Sequence, residues 1–84
     1  MTIKVYTTPS CSWCSVVKKY FHGRGVRFTE YDVSRDQRKY EEMVSKSHQM
    51  GVPVLDMGGK VIVGFNKAEI ERQLARATAQ SPAA

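Results

Sequence analysis

The sequence is short of several features that mark particular classes of protein. It has two cysteines, three prolines and one tryptophan among 84 residues, and no internal repeat or low-complexity block. No apolar run approaches the roughly 20 residues of a membrane-spanning helix, and the N-terminus lacks the parts of a signal peptide. A chain of this length predicts one domain, residues 1–84, with a frayed tail over residues 79–84. We expect a cytoplasmic, monomeric protein without a membrane anchor.

The basic charge of the chain is not gathered into one region. Lysine and arginine number 13 against 8 acidic residues, which gives a net charge of +5. The basic residues are spread along the chain and accompany no nucleic-acid motif, so they predict solvated faces and no nucleic-acid partner. The excess favours an acidic partner surface or simply solubility.

Hydrophobic spacing predicts a β-α-β unit at the start of the chain. Residues Ile3–Thr7 alternate and are rich in β-forming side chains, which is typical of a strand. From Ser12 onward the apolar residues recur at helical steps, and Gly23 is the expected end of the helix. Residues 26–33 alternate again, which predicts a second strand.

The second part of the chain predicts a helix and then a hairpin. Ser34 and Gln37 have the spacing of a capping box, which places the start of a helix there that runs to about residue 46. Residues 52–56 and 60–65 are short apolar strands, and the two glycines between them suit a tight turn. The expected order of elements up to this point is β-α-β-α-β-β.

A third helix is expected after the hairpin. Asn66 and Glu69 have capping-box spacing, and Ile70, Leu74 and Ala77 fall on one face of the helix that follows. The complete order β-α-β-α-β-β-α predicts an α/β fold. Its first two strands are expected to be parallel neighbours and its last two antiparallel.

The two cysteines stand as C-x-x-C where the first strand gives way to the first helix. The unpaired N–H groups and the partial positive charge of a helix N-terminus stabilise a thiolate, so the pKa of a cysteine there is lowered. Cys14 lies one turn further on the same side, within reach of Cys11. This asymmetry suits a two-step exchange, in which Cys11 attacks a substrate disulfide and Cys14 resolves the mixed disulfide.

Two other interpretations of the cysteine pair remain open. A zinc site needs four ligands, and no second C-x-x-C or paired-histidine spacing follows. A structural bridge, or two inert thiols, is disfavoured because so short a loop constrains the unfolded chain little. The redox pair is the favoured interpretation, and it needs no metal or other cofactor.

The chain resembles the small glutaredoxin-like redoxins of the thioredoxin superfamily. The resemblance is carried by VYTTPSCSWC at the start, by VPV after the second helix and by VGF before the third. It covers about residues 2–78. It implies a thioredoxin-like fold, in which a four-stranded mixed sheet of order 2-1-3-4 has the first and third helices on one face and the second on the other.

The resemblance also implies which residues surround the cysteines. Pro53 is expected to follow a cis peptide bond and to face the pair, so that Val52 offers its backbone to an extended substrate. Trp13 is expected at the rim of the site. Tyr6, Thr8 and Pro9 are placed as the wall beside Cys11, although strand packing is an equally good interpretation of Tyr6. His48 is interpreted as a solvated loop histidine.

Departures from the family bear on the electron donor. Glutathione-using members commonly have a lysine where this chain has Thr8. They also have a Gly-Gly and acidic residues where it has Gly64, Phe65, Asn66 and Lys67. Gly64 and Phe65 match redoxins that take electrons from thioredoxin reductase, although Thr8 departs from that group too.

The sequence therefore predicts a thiol–disulfide oxidoreductase that reduces protein disulfides and is recharged by a thioredoxin-reductase-like enzyme. A glutathione-dependent glutaredoxin is the alternative among enzymes. A module that binds zinc or an iron–sulfur cluster is the alternative from another class.

Overall fold

Seven elements follow one another in the predicted order. The computed structural model describes residues 2–80, and the side chains of residues 2–76. The elements are β1 (Ile3–Thr7), α1 (Ser12–Gly23), β2 (Thr29–Asp32), α2 (Gln37–Ser47), β3 (Val54–Met57), β4 (Lys60–Val63) and α3 (Lys67–Gln80). Of the tail expected over 79–84, residues 79 and 80 belong to α3, and residues 81–84 lie outside the described residues.

The four strands form one mixed sheet of order β2-β1-β3-β4. β1 is parallel to β2, with Val5 opposite Glu30, and antiparallel to β3, with Val5 opposite Leu55. β3 and β4 form the antiparallel hairpin. The predicted α/β fold and its strand order are confirmed. β1 is a central strand, so the chain that leads into Cys11 is hydrogen-bonded on both sides.

The sheet separates two apolar clusters, because successive side chains of a strand point to opposite faces. Val5 and Leu55 pack with α1 and α3 on one face, where Ile70 is fully buried. Tyr6 and Val54 pack with α2 on the other. We call these the α1/α3 face and the α2 face. Leu74 packs against the α1/α3 cluster, as predicted, while the side chain of Ala77 lies outside the described ones.

The end of α1 shows how a predicted boundary is built. Gly23 is the last helical residue, as expected, but the left-handed residue is Gly25, with φ of 67°. The Gly25 N–H donates to the His22 carbonyl at 3.1 Å, and the Val26 N–H donates to the Phe21 carbonyl at 2.9 Å. This is a Schellman end, in which a glycine supplies the positive φ.

The predicted capping box of α2 is wrong. The N-cap is Asp36, whose Oδ1 accepts from the Lys39 N–H at 3.1 Å. Ser34 instead donates its N–H to the Asp32 carboxylate at 2.9 Å. A carboxylate caps as well as a hydroxyl, so a sequence with both, two residues apart, leaves the choice to the turn before the helix. At α3 the Asn66 half of the predicted pair forms, since Asn66 Oδ1 accepts from the Glu69 N–H at 3.3 Å, whereas the Glu69 carboxylate accepts from Arg72 and Gln73.

Three predicted strands are shorter in the structure. Residues 26–28 precede β2, and Val26 and Phe28 pack against the α1/α3 cluster. β3 begins only after Pro53, which has no N–H to give to a ladder. β4 ends at Val63, because Gly64 has a φ of 75°.

Candidate functional site

The two cysteines occupy different environments at the start of α1. Cys11 is the N-cap residue, half-buried, and its Sγ accepts a hydrogen bond from the Cys14 N–H at 3.0 Å. Cys14 is 1% exposed. The two are joined as a disulfide, with their Cα atoms 5.2 Å apart. The pair is therefore in the oxidised form, and Cys11 is more exposed than Cys14.

A tight turn sets the position of Cys11. The Cys11 N–H donates to the Thr8 carbonyl at 3.3 Å, and the Cys11 carbonyl accepts the first helical hydrogen bond, from the Ser15 N–H, also at 3.3 Å. Pro9 and Ser10 are exposed at the turn. Pro9 has no N–H to extend the ladder of β1, which explains why the strand stops and the helix starts within four residues.

The segment before β3 is fixed to the segment after β4. The Val52–Pro53 peptide bond is cis, as the resemblance implied. The carbonyl of Pro53, which is buried, accepts from the Gly64 N–H at 2.9 Å. Val52 is half-buried and packs against the α2 cluster. These contacts hold the two loops together at the end of the sheet where α1 begins.

A shallow groove of about 240 Å³ lies between these loops and α1, lined by Trp13, Val52, Pro53, Gly64 and Phe65. The structure therefore brings together five of the eight residues predicted for the site. Thr8, Cys11 and Cys14 are not among the lining residues, and Trp13 is the residue that connects the groove with the C-x-x-C segment. A larger cavity of about 590 Å³ lies by the other end of α1, beside β2. We select the smaller groove because one of its lining residues, Trp13, lies between Cys11 and Cys14 in the chain.

Aromatic rings form the rim of this groove. Trp13 is 61% exposed, as expected for the rim, and its ring stacks on Phe65 with centroids 6.3 Å apart. Phe65 in turn meets Tyr20 edge-on at 5.5 Å. In the sequence, Tyr20 is one of the apolar residues that recur at helical steps after Ser12, and nothing there gives it a further role. Its seven-residue spacing from Trp13, two helical turns, is the signal that could have linked the two.

Tyr6 does not form a wall beside Cys11. It is fully buried on the α2 face, where its hydroxyl donates to the Glu42 carboxylate and accepts from Lys46 Nζ at 2.9 Å. Burial and the Glu42 carboxylate raise the pKa of Tyr6 to about 12, although Lys46 opposes the shift. Strand packing, the other interpretation of Tyr6, is the one that the structure supports.

Lys46 is the centre of a polar network on the α2 face, which the sequence did not reveal. Its Nζ lies 2.7 Å from Asp56 Oδ2 and 3.6 Å from Glu42 Oε2. Burial alone would lower the pKa of Lys46, but hydrogen bonds to Asp56 and Tyr6 outweigh it and raise the pKa. The network connects α2 with β1, which leads into the cysteine turn, and with β3, which follows Pro53.

The two carboxylates of the network are shifted in the opposite direction. The hydrogen bond from Tyr6, with help from Lys46 and against burial, lowers the pKa of Glu42. Burial would raise the pKa of Asp56, but the hydrogen bonds from Lys46 and from the Gly59 N–H lower it. All of these shifts favour the charged carboxylates and ammonium and the neutral phenol.

Two polar residues directly follow Phe65, which lines the groove. Asn66 and Lys67 are exposed at the start of α3. His48 caps the end of α2 in the left-handed conformation and is exposed, in agreement with its interpretation as a solvated histidine.

Within residues 2–80, no three His, Cys, Asp or Glu side chains are grouped so that they could hold a metal ion. Nor does this part of the chain contain a helix long and apolar enough to cross a membrane.

Comparison with known proteins decides the family. The glutaredoxin family model matches residues 3–62. The chain belongs to the glutaredoxin family. The predicted resemblance to glutaredoxin-like redoxins is thereby confirmed, and the Cys11–Cys14 pair stands within the part of the chain that the family covers.

Two curated proteins and one solved structure are similar to this chain over most of its length. A glutaredoxin-like 8.6 kDa protein of the rubredoxin operon of Clostridium pasteurianum is 47% identical over 83% of this chain and 93% of its own. A glutaredoxin of Neisseria meningitidis is 32% identical over 76% of each chain. The NrdH-redoxin of Escherichia coli, a solved structure described as a glutaredoxin-like protein with a thioredoxin-like activity profile, is 28% identical. It has a TM-score of 0.78, over 86% of this chain and 93% of that one.

Proposed function

We propose that this protein is a cytoplasmic thiol–disulfide oxidoreductase that reduces protein disulfides by dithiol exchange, acting as a monomer without a resident cofactor. The observation that carries the proposal is the asymmetry of the cysteines. Cys11 is partly exposed and accepts a hydrogen bond at a helix N-terminus, whereas Cys14 is 1% exposed directly behind it. A substrate can therefore reach Cys11, and Cys14 is close enough to attack the Cys11 sulfur afterwards.

The exchange proceeds in two balanced steps. The Cys11 thiolate attacks one sulfur of the substrate disulfide, so that a Cys11–substrate disulfide forms and the other substrate sulfur leaves as a thiolate. Cys14 then gives up its proton and attacks the Cys11 sulfur, which releases the second substrate sulfur. The substrate has gained two electrons, and the protein is left with the Cys11–Cys14 disulfide that the structure contains.

The groove beside Cys11 supports an extended polypeptide as substrate. Val52 lies at its edge with its backbone just before Pro53, where a passing chain can pair with it as an added strand. The apolar rim of Trp13 and Phe65 gives such a chain a surface to bury. Aromatic side chains of this kind carry much of the binding energy in protein contacts.

The reductant that we propose is a thioredoxin-reductase-like flavoenzyme. Thr8 offers no positive charge to one carboxylate of glutathione. The other carboxylate would have only Asn66 and Lys67, at the start of α3, to bind it. The thioredoxin-like activity profile of the NrdH-redoxin from E. coli supports such a donor for a glutaredoxin-like chain. The net charge of +5 would assist encounter with an acidic reductase.

Glutathione is the second candidate reductant, because one feature favours it. The N-terminus of α3 follows Gly64 and Phe65 at the groove, and backbone N–H groups at a helix N-terminus bind anions. Lys67 is exposed in the first turn of that helix. Binding of glutathione would then be weakened by Thr8 without being lost.

Parallel turnover assays test both parts of the proposal. The oxidised protein is supplied with insulin as a disulfide substrate and recharged either by NADPH and thioredoxin reductase or by millimolar glutathione with glutathione reductase. We expect turnover in the first system and at least about tenfold less in the second, with none for Cys11→Ser in either. Fast turnover only with glutathione would transfer the function to the second candidate. Absence of turnover in both, with bound zinc or iron in the purified protein, would replace the enzyme with a metal-binding module.

A further inference from the structure

Trp13 combines high exposure with a fixed position. It is 61% exposed, yet it stacks on Phe65 with an angle of 22° between the ring planes. An exposed side chain that is free to rotate loses that freedom when a partner binds, and the loss weakens binding. The stacking therefore holds Trp13 in one orientation before any partner arrives.

Phe65 is itself held from behind by Tyr20. The Tyr20 ring meets the Phe65 ring edge-on at 5.5 Å and does not line the groove. On the other side of Phe65, the preceding Gly64 is fixed by its hydrogen bond to the Pro53 carbonyl. The Phe65 ring thus lies between Trp13, which a partner can touch, and Tyr20, which it cannot reach through the groove.

Two charged residues fix the far end of Tyr20. The Tyr20 hydroxyl donates to Glu71 Oε2 at 3.1 Å and accepts from Arg24 at 2.6 Å. Arg24 also lies 3.9 Å from Glu71. The Arg24 and Glu71 side chains are 48% and 46% exposed, so these contacts favour one orientation of the phenol and add to the packing of its ring on Phe65.

We infer that Tyr20 is a positioning residue for the docking of protein substrates, because it fixes Phe65 and thereby the Trp13 indole at the rim of the groove. This inference rests on the proposed function for its consequence, which is selectivity for protein disulfides over small ones. A small disulfide that reaches Cys11 without covering Trp13 gains nothing from an ordered rim. A protein that buries Trp13 does.

The test replaces Tyr20 and compares two substrates. In Tyr20→Leu we expect KM for a protein disulfide to rise about fivefold, the scale of one aromatic pair contact. We expect kcat, and kcat/KM for a small disulfide such as cystine, to stay within about twofold. Tyr20→Phe, which keeps the ring, should give a smaller rise in KM. Tyr31→Leu is the matched control, since Tyr31 is a half-buried tyrosine that packs on the α2 face.

Trp13 provides a second readout, because it is the one tryptophan of the chain. In the reduced protein, nanosecond anisotropy decay of its fluorescence reports motion of the indole. We expect the amplitude of the fast component to increase about twofold in Tyr20→Leu and to remain at the wild-type value in Tyr31→Leu. A role of Tyr20 in stability alone would not move this amplitude in a protein that is still folded.

Three outcomes overturn the inference. They are an unchanged anisotropy decay in folded Tyr20→Leu, an equal loss with both substrates, or a loss in kcat without a change in KM. If Tyr20→Leu does not fold, Glu71→Met combined with Arg24→Met removes the two anchors and keeps the ring, and the same readouts decide with smaller expected changes. A wild type that reduces no protein disulfide would defeat the proposed function, whereas the anisotropy comparison would still decide whether Tyr20 orders Trp13.

Discussion

The two faces of the sheet are built by different means. On the α2 face, Lys46 lies 2.7 Å from Asp56, and their side chains are 27% and 14% exposed. On the α1/α3 face, the comparable pair of Lys18 and Glu30, at 3.0 Å, is 33% and 38% exposed. The α2 face thus keeps a polar network in partial shelter, while the ion pair on the α1/α3 face is more exposed and that face carries the cysteines and the aromatic rings.

This difference separates what holds the fold from what carries the proposed chemistry. Tyr6 and Thr7 are neighbours in β1, yet Tyr6 points to the Lys46 network and the Thr7 hydroxyl to Glu30 below α1. The strand β1, which ends at the cysteine turn, is therefore fixed on its α2 face by the Lys46 network, and this network contains no reacting group. Changes on one face should alter stability with little effect on cysteine reactivity, and changes at the cysteines should do the reverse.

The largest effect is expected from Cys11→Ser, which should reduce insulin-reducing activity below detection. Without the Cys11 sulfur no mixed disulfide can form. The stability of the reduced variant should match that of the reduced wild type within about 0.5 kcal/mol, because serine is also a good N-cap. Urea unfolding of both proteins in excess reductant measures this. A loss of stability well above that value would mean that the two faces are not separable in this way.

Lys46→Met should destabilise the fold by about 2 kcal/mol. This lies between the 0–1 kcal/mol of exposed ion pairs and the 3–5 kcal/mol for breaking fully buried ones, because the variant leaves the partly sheltered Asp56 without its hydrogen-bonded cation, whereas Glu42 keeps Lys39 at 3.4 Å. Urea unfolding gives the value, and the rate of alkylation of the reduced cysteines should stay within about twofold of the wild type.

Lys18→Met is the matched control for this substitution on the other face. Its pair is more exposed, so we expect a loss of about 0.5 kcal/mol. Equal losses for Lys46→Met and Lys18→Met would remove the distinction between the two faces.

The pH dependence of stability should show the same network. The lowered pKa values of Asp56 and Glu42 contribute stability above about pH 4.5, and this is lost as the pH falls through their folded values. The raised pKa of Tyr6 acts in the opposite sense, since its contribution is full below pH 10 and is lost as the pH rises toward about 12. Thermal unfolding from pH 3 to 11 should give a plateau between roughly pH 5 and 9.

In Lys46→Met the fall in stability on the acid side should be shallower, because Asp56 loses its hydrogen-bonded cation and Glu42 keeps Lys39 as its ion-pair partner. A wild-type profile that is flat from pH 3 to 7, or an unchanged acid limb in the variant, would contradict the role given to the network.

Smaller effects than that of Lys46→Met are also expected at the helix caps. Asp36→Ala removes the N-cap of α2 and should cost about 1 kcal/mol, whereas Ser34→Ala should cost less than half as much because Ser34 is bound only to Asp32 in the preceding turn. Asn66→Ala removes the N-cap of α3 and should also cost about 1 kcal/mol. Chemical denaturation ranks the three variants. A larger loss for Ser34→Ala than for Asp36→Ala would restore the capping box that the sequence suggested.

The order of elements and the start of α1 could be predicted from the sequence because they depend on local signals. Alternation, helical spacing and the position of C-x-x-C after a strand are each contained in about ten residues. The exposure of Trp13 and the cis bond before Pro53 followed from family resemblance. What local signals could not supply were contacts between distant elements.

Two of the features that the sequence did not reveal have this cause. Tyr6 and Lys46 are 40 residues apart in sequence and Tyr20 and Phe65 are 45, so nothing in their own neighbourhoods indicates that they meet. Asp36 was missed as N-cap for a different reason. Ser34 fits the same pattern two residues earlier, and only the hydrogen bond of Ser34 to Asp32 takes it out of the helix.

The central claim is that Cys11 attacks and Cys14 resolves, and trapping of the mixed disulfide tests it most directly. Cys14→Ser and Cys11→Ser are each reduced, mixed with a protein that carries one disulfide, and quenched with acid. Non-reducing electrophoresis and peptide mass spectrometry then locate the linkage. The account predicts that Cys14→Ser accumulates a stable mixed disulfide through Cys11 and that Cys11→Ser accumulates none. A mixed disulfide through Cys14 in Cys11→Ser, formed as fast as the one through Cys11, would contradict it.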